Sequence, residues 1–171
     1  DGIVLHKGRY YHTDCFITMA QGKAARKGSL PLWQQALNSI QELEAEAIKQ
    51  LKTQWIKDEL NLHLLANYDI TAVPSSFWTT VAELGNGMYG QKRCRPIDLE
   101  TLLGVWRWGQ RNLDKIAVKN KMQHTGPQDD VGRLRYDLAI LIGKIPLYLK
   151  EKAKVEMAKQ LTINEVGVGL E

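Results

Sequence analysis

The sequence predicts an all-α protein, an antiparallel bundle of about five helices with a short β-hairpin-like extension at its N-terminus. Three observations predict this class. The chain has 171 residues, of which 44% are hydrophobic, and this is enough for one domain to bury a core. Apolar residues recur at three- and four-residue intervals over most of the length. Proline and glycine separate these periodic segments, as they commonly do between helices.

The first 29 residues differ from the rest. In residues 1–18, the β-type runs IVL and YY flank the turn-like sequence HKG, which is typical of a short hairpin. Residues 19–29, MAQGKAARKGS, are small and basic and contain glycine, which is the composition of a linker. The sequence therefore predicts a β-containing extension joined to the bundle by a basic linker.

A long helix is predicted next. Ser29 can cap it and Pro31 suits its first turn, and the helical pattern runs to about Leu65 with a weak point at 58–61. Its apolar residues fall three, four or seven positions apart, and they are Trp33, Leu37, Ile40, Ala47, Leu51 and Trp55. A single stripe of this kind predicts that these side chains, including both tryptophans, face the core.

Two more helices are predicted in the middle of the chain. The segment PSSFWTTVAEL begins at Pro74, and the glycines of GNG at 85–87 end it. Residues 88–95, MYGQKRCR, then suggest a basic loop. The second helix is predicted to open at Pro96, with acids in its first turn where the helix dipole favours them, and to run to about Gln123.

The remaining helices follow the breaker HTGPQDD. Asp130 can cap the first of them, and the adjacent Asp129–Asp130 pair is interpreted as a capping pair. Pro146 is expected to interrupt this helix, and a fifth, amphipathic stretch runs from there to about residue 161. The bundle is thus predicted to cover 30–161, and the tail at 162–171 has no helical pattern.

No set of residues indicates an enzyme. Neither cysteine has an identifiable third group that could orient a neighbouring histidine as a base. The segment GNGMYG has the glycine spacing of a dinucleotide site, but it follows a predicted helix and precedes a basic loop instead of joining a strand to a helix. The sequence therefore predicts a non-catalytic protein without a cofactor.

A zinc-binding extension is an alternative. His12 and Cys15 have the H-x2-C spacing of the second half of a zinc finger. A structural zinc site takes four ligands, and the chain has no C-x2-C pair, so His6 and the distant Cys94 would have to complete it. The sequence therefore favours a plain hairpin without metal, and a zinc-dependent adaptor is left open.

The hydropathy and the number of cysteines also indicate a cellular compartment. There is no apolar run of about 18 or more residues, so no membrane span is expected. Two cysteines are too few for a disulfide framework, and the chain is long enough not to need one. We therefore expect a cytoplasmic protein with free thiols.

Positive charge is concentrated in two parts of the chain. The net charge is +4 and the pI is about 9.0. Counting Lys and Arg against Asp and Glu gives five against two at 1–29, three against seven at 30–85, eight against three at 86–124 and seven against seven at 125–171. The surplus at 86–124 contains four cations spaced four residues apart on one predicted helix, Arg107, Arg111, Lys115 and Lys119.

These four cations are expected to form a ridge. At 1.5 Å per residue they span about 18 Å, and like charges four apart repel one another. Rows of phosphates are the simplest partner for such a ridge. The predicted nucleic-acid-binding residues are the ridge, the loop cations, the linker cations and one off-stripe tryptophan: Arg107, Arg111, Lys115, Lys119, Lys92, Arg93, Arg95, Lys23, Arg26, Lys27 and Trp108. Trp108, with Tyr89, could stack on unpaired bases. A solvated basic face and an acidic protein partner remain alternatives.

The layout from Met19 onward, a helical unit with a basic ridge, no catalytic set and a different module before it, resembles the small subunit of CRISPR effector complexes. It is most similar to the type I-D kind, which corresponds to the helical C-terminal region of the large subunit. The resemblance covers 19–161 in architecture and charge. It implies a non-catalytic subunit of an antiviral assembly, which holds target DNA strands beside the guide RNA duplex together with other protein subunits. The residues carried over by position are Lys92, Arg93, Arg95, Arg107, Arg111, Lys115 and Lys119.

Overall fold

The computed structural model describes residues 2–27, 34–35 and 37–167, with the side chains at 24, 26, 27 and 161–167 excepted. The elements in these ranges are β1 (Ile3–His6), β2 (Arg9–His12), α1 (Thr13–Lys27), α2 (Ile40–Asn67), α3 (Ser75–Gly85), β3 (Met88–Tyr89), β4 (Lys92–Arg93), α4 (Leu99–Met122) and α5 (Asp130–Gly167). Five helices with an N-terminal hairpin confirm the predicted fold class.

The contacts within the chain divide it into two units, Asp1–Lys57 and Asp58–Glu171. The boundary falls inside α2, which is helical on both sides of it. It adjoins residues 58–61, where the helical periodicity of the sequence weakens. The sequence had placed one bundle over 30–161.

In the first unit, β1 and β2 form the predicted hairpin. They pair antiparallel with Ile3 opposite His12 and His6 opposite Arg9. The turn between them is formed by Lys7 and Gly8, both with positive φ, at 50° and 75°. Two such residues suit the twist of a two-residue turn, and glycine takes this conformation without steric cost. The HKG segment is thus the turn, as the sequence predicts.

Helix α1 replaces most of the predicted linker. Residues 19–27 belong to this helix, which starts at Thr13, and the last two predicted linker residues lie outside the described part of the chain. Phe16 is fully buried against the rings of His6 and Tyr11, with centroids 5.2 and 5.9 Å away. The linker prediction was wrong because alanine and lysine suit an α-helix as well as a linker, and Phe16 anchors the helix to the hairpin.

Helix α2 departs from its predicted burial. Its predicted start at Ser29 and the predicted core residue Trp33 lie outside the described residues. Ala47 is buried as expected, but Leu51 and Trp55 are 41% and 59% exposed. The prediction that these two side chains lie in the core is therefore wrong.

The second unit is built around α4. The aromatic ring of Trp106, fully buried, meets Phe77 of α3 edge-on at 5.7 Å and Tyr68 at 6.3 Å. Other predicted inward-facing residues of α4, Leu102, Leu103 and Leu113, are also buried. Burying each of these side chains stabilises the fold by about 1.5–3 kcal/mol. The apolar stripe of this helix therefore predicted its core face correctly.

The ends of α3 and α4 follow the chemistry of their sequences. Helix α3 begins after Pro74 and ends at Gly85, as predicted. Residues 88–95 form more than a loop, because β3 and β4 pair as a small hairpin in this segment. Helix α4 begins three residues after Pro96, because Asp98 caps it by accepting a hydrogen bond from the Thr101 backbone N–H at 2.7 Å.

Helix α5 is one helix where the sequence predicts two and a tail. Pro146 lies inside it, and it continues to Gly167, so the predicted interruption is wrong, as is the prediction of a non-helical tail at 162–167. A proline inside a helix costs about 3 kcal/mol. The buried neighbours Leu141 and Ile145 stabilise the helix on the N-terminal side of Pro146.

Helices α4 and α5 run antiparallel. Contacts join Gly104 to Tyr148 and Asp114 to Arg133, so the residue numbers rise along α4 as they fall along α5. Between these pairs, a Cβ added at Gly109 would meet Leu141 at 2.6 Å, so the missing side chain lets the helices approach closely. This pairing fixes which face of α4 is exposed.

Candidate nucleic-acid interface

The four spaced cations of α4, here called the α4 ridge (Arg107, Arg111, Lys115 and Lys119), lie on its exposed side. All four are exposed, whereas Trp106, Gln110 and Leu113 on the opposite side are buried. At 100° per residue, each ridge position is turned by about 40° from the previous one, so the ridge covers about a third of the helix circumference. The expected coherent ridge on one exposed side is therefore present.

Arg107 differs from the other three ridge residues. Its guanidinium forms an ion pair of 2.5 Å with Glu59 of α2, and the two side chains are 48% and 31% exposed. Within the described part of the chain, Arg111, Lys115 and Lys119 form no ion pair. The cations open to a partner are thus the last three, and Arg107 serves first to join α4 to α2.

Trp108 is held between helices. Its indole N–H donates a hydrogen bond to the Glu151 carboxylate at 2.8 Å, and its ring lies 5.9 Å from that of Tyr148. Both partners belong to α5, which covers part of this side of α4. The sequence identified Trp108 as off the apolar stripe but gave no sign of its partners. A half-buried ring with an engaged N–H is a poor platform for bases, so we assign Trp108 no part in the surface.

The basic segment after α3 is a tight hairpin. Tyr89 pairs with Lys92 across the two-residue turn of Gly90 and Gln91, whose φ values are 54° and 65°. A positive φ is unusual for glutamine, and the turn keeps it because both positions need that conformation to connect the strands. Lys92, Arg93 and the following Arg95 are exposed. The hairpin therefore presents three cations shortly before α4 begins.

The predicted linker cations belong to the other unit. Lys23 is an exposed residue of α1, and the side chains of Arg26 and Lys27 lie outside the described part of the chain. Because α1 is in the first unit and the α4 ridge is in the second, we do not count these residues in one surface.

A buried polar cluster beneath α4 was missed by the sequence analysis. Tyr68 donates a hydrogen bond of 2.8 Å to the carboxylate of Asp137, which is 1% exposed. Arg133 lies 3.3 Å from the same carboxylate and 2.6 Å from Asp114 of α4, and its guanidinium sits 4.7 Å above the Tyr68 ring. The i,i+4 spacing of Arg133 and Asp137 was the only available signal.

Burial is the largest single influence on the pKa of each titratable side chain in this cluster. Burial raises the pKa of Asp137 above its ordinary value, against the opposing effects of Tyr68 and Arg133. The pKa of Tyr68 is also raised, first by burial and then by the nearby Asp137 charge. Burial acts to lower the pKa of Arg133, but its hydrogen bond to Asp114 and the charge of Asp137 outweigh this effect and the pKa is raised. The cluster therefore joins Tyr68, which directly follows α2, to α4 and α5 through charge-assisted hydrogen bonds.

A second contact extends the polar cluster along α2. The His63 ring nitrogen Nε2 lies 3.1 Å from the Gln110 side-chain oxygen, and Gln110 donates to Asp114 at 3.0 Å. Burial, the largest effect, lowers the pKa of His63, so the neutral ring is favoured.

A cavity of about 540 Å³ opens beside the cluster, between α4 and the start of α5. Its charged lining residues are Asp114, Asp129, Asp130, Asp137, Lys121 and Arg133. Four carboxylates against two cations disfavour a phosphate ligand. Asp129 also caps α5, by accepting a hydrogen bond of 2.5 Å from the Gly132 N–H. The capping residue thus comes from the predicted Asp129–Asp130 pair, but it is Asp129, because Asp130, the predicted cap, is the first residue of the helix. The cavity is therefore not part of the candidate nucleic-acid surface.

The residues of the alternative zinc site also have defined places. His6 packs on Phe16 inside the first unit, Cys15 is exposed on α1, and Cys94 belongs to the second unit. Among the described residues, no group of three or more His, Cys, Asp or Glu side chains is arranged to hold a metal ion. Nor is any helix in these ranges long and apolar enough to cross a bilayer.

Comparison of the chain with protein-family models, with curated proteins and with solved structures found no match in any of the three.

Proposed function

We propose that this protein is a non-catalytic subunit of a larger assembly, and that it binds nucleic acid by backbone contacts without reading the base sequence. The observation that carries the proposal is the exposed array of Arg111, Lys115 and Lys119, which form no ion pair with a described residue. Cations repeated along one helix face can neutralise successive phosphates and release their counterions. The exposed hairpin cations Lys92 and Arg93, in the same unit, add positive charge before α4 begins and support the same role.

The resemblance to CRISPR effector small subunits gives this proposal a specific form. A helical subunit of that kind would hold target DNA strands next to the guide RNA duplex, with the α4 ridge against the strand. A cytoplasmic setting fits the two free thiols of Cys15 and Cys94.

The first test is a binding titration with labelled mixed-sequence single-stranded and double-stranded DNA, followed by fluorescence anisotropy. We expect the triple variant Arg111→Gln, Lys115→Gln, Lys119→Gln to bind at least about tenfold more weakly than wild type at moderate salt. Its salt dependence should also become shallower, because the slope of log K against log salt falls by roughly 0.7–0.9 for each phosphate that the protein no longer neutralises.

The matched control is the triple variant Lys150→Gln, Lys152→Gln, Lys154→Gln on α5. These three lysines are exposed, and the change in net charge is the same. Binding by the α4 surface requires the control to retain most of its affinity. Equal weakening in both variants would show that net charge alone drives binding, and undiminished binding by the α4 variant would overturn the proposal.

A second candidate function is the docking of an acidic amphipathic helix on the same surface. Val118 and Met122 lie among the ridge cations and are 55% and 77% exposed. Exposed apolar side chains among cations suit a protein partner that supplies both apolar residues and carboxylates. The DNA titration separates the two functions, because the protein-docking candidate requires no DNA binding at physiological salt.

A further inference from the structure

The cavity between α4 and the start of α5, here called the α4–α5 cavity, has the size and the mixed lining of a site for a small organic molecule. Its volume is about 540 Å³, within the range of roughly 300–1,000 Å³ that ligand pockets have. One wall is made of Ala117, Val118, Pro127 and the ring of Tyr136. Val118 and Tyr136 are 55% and 41% exposed, so a molecule in solution can reach this wall.

The charged part of the lining favours a cation. Four carboxylates and two cations line the cavity, which leaves two net negative charges. Asp114 accepts hydrogen bonds from Gln110 and Arg133 through its Oδ1 atom. Asp129 accepts one from the Gly132 N–H, also through Oδ1. Among the described residues, none donates to Oδ2 of either side chain, so these two oxygens are left for a ligand that donates.

Asp137 supplies a third carboxylate oxygen, and this one is buried. The side chain lines the cavity and is 1% exposed. Both hydrogen bonds that it accepts, from Tyr68 and Arg133, go to Oδ2, and no residue in the described ranges donates to Oδ1. Buried acceptors are normally hydrogen-bonded, and burial raises the pKa of Asp137 against the opposing effects of both partners. A further donor that enters the cavity would therefore stabilise this carboxylate.

The arrangement of these groups indicates the kind of cation. In the described part of the chain, no three His, Cys, Asp or Glu side chains are grouped to hold a metal ion. We propose that the α4–α5 cavity binds an aliphatic diamine or polyamine, with its ammonium groups on Asp114, Asp129 and Asp137. An ammonium group has three N–H donors and no acceptor, which suits carboxylate oxygens. The methylene chain would pack on Val118, and the face of the Tyr136 ring can take a second ammonium group.

The test is isothermal titration calorimetry of the full chain with 1,4-diaminobutane and with spermidine at low salt. We expect saturable binding of one molecule, with a dissociation constant below about 1 mM. The monoamine 1-aminobutane should bind at least about tenfold more weakly, because it lacks the second ammonium group. No saturable heat up to about 10 mM diamine, or equal affinity for the monoamine or for magnesium chloride, would overturn the proposal. The titration contains no nucleic acid, so its outcome is independent of the proposed function.

A matched pair of variants tests the position of the ligand. Asp129 and Asp98 are both exposed, and each caps a helix by accepting a backbone N–H. Asparagine caps helices as well as aspartate does, so Asp129→Asn and Asp98→Asn should both fold and lose one charge. Asp129→Asn should raise the spermidine dissociation constant about threefold, and Asp98→Asn, outside the cavity, should leave it unchanged. The same affinity in both variants would contradict binding in the cavity.

The buried oxygen of Asp137 is tested by Asp137→Asn. This variant should bind spermidine at least about tenfold more weakly, because a charge-assisted hydrogen bond is lost. Circular dichroism checks that it folds, and wild-type affinity in the folded variant would overturn the proposal. Tyr136→Ala, at a side chain that is 41% exposed, gives a measurement that does not depend on the buried cluster. It should weaken binding about threefold, and no weakening would contradict the contact with the ring.

Discussion

Helix α4 and the first-unit part of α2 look alike in the sequence but differ in the structure. Both carry one apolar stripe with tryptophan on it. On α4 the stripe is covered, and Trp106 is fully buried. On α2, Leu51 and Trp55 of the stripe are 41% and 59% exposed. A stripe therefore shows that one side of a helix is apolar, whereas burial depends on whether another element packs against that side.

The largest expected effect is a difference in stability between alanine substitutions of Trp106 and Trp55. Trp106→Ala should lower the free energy of unfolding by about 3–5 kcal/mol, because it leaves a cavity between Phe77 and Tyr68. Trp55→Ala should change it by less than about 0.5 kcal/mol, since the side chain is mostly in water. Urea denaturation followed by circular dichroism at low protein concentration measures both. Similar destabilisation by both substitutions would mean that the α2 stripe is covered in solution.

A smaller loss of stability is expected from substitutions in the buried polar cluster of Tyr68, Arg133 and Asp137. Asp137→Leu should lower the free energy of unfolding by about 3 kcal/mol, because Tyr68 loses its acceptor and Arg133 loses its buried carboxylate partner and keeps only the more exposed Asp114 at 2.6 Å. Asp137→Asn keeps an acceptor oxygen, and burial already disfavours the carboxylate charge, so the cost should be nearer about 1 kcal/mol. Thermal or urea denaturation of the two variants shows which substitution lowers the free energy of unfolding more. An equally large cost for both variants would show that the carboxylate charge itself, which both remove, holds the cluster together.

The smallest effect tests whether the second-unit part of α2 is held against α4. The pKa of His63 is lowered in the folded protein, so the unfolded chain binds its proton first. Stability from this group is present above the unfolded pKa of about 6.5 and is lost as pH falls through the lowered folded pKa. The effect should be smaller than those at Trp106 and Asp137, because it comes from one partly exposed ring.

His63→Gln should remove this part of the pH dependence and retain a side chain that can bond to Gln110. Urea denaturation at several pH values between about 5 and 8 measures it. His6, whose pKa is also lowered first by burial, contributes its own slope in both proteins, so the difference between them isolates His63. An unchanged slope in the variant would show that the His63 ring is not buried against α4 in solution.

The sequence was reliable where local chemistry is sufficient. The HKG turn, the end of α3 at GNG and the inward face of α4 depend on backbone conformation and periodicity, which are readable in a single segment. It failed where tertiary contacts override local preference. The linker-like segment at 19–27 is part of α1, which Phe16 anchors to the hairpin by packing on His6. Helix α5 continues through Pro146 as one helix.

The candidate surface divides in the same way. The sequence alone determined the four-residue spacing of the α4 ridge, and the pitch of the helix then put these cations on one side. The tertiary structure decided which of those cations are open to a partner, because it brought Glu59 to Arg107 and Glu151 to Trp108 from residues more than forty positions away. Periodicity within one segment holds no information about such pairs, since they depend on how helices distant in the sequence pack together.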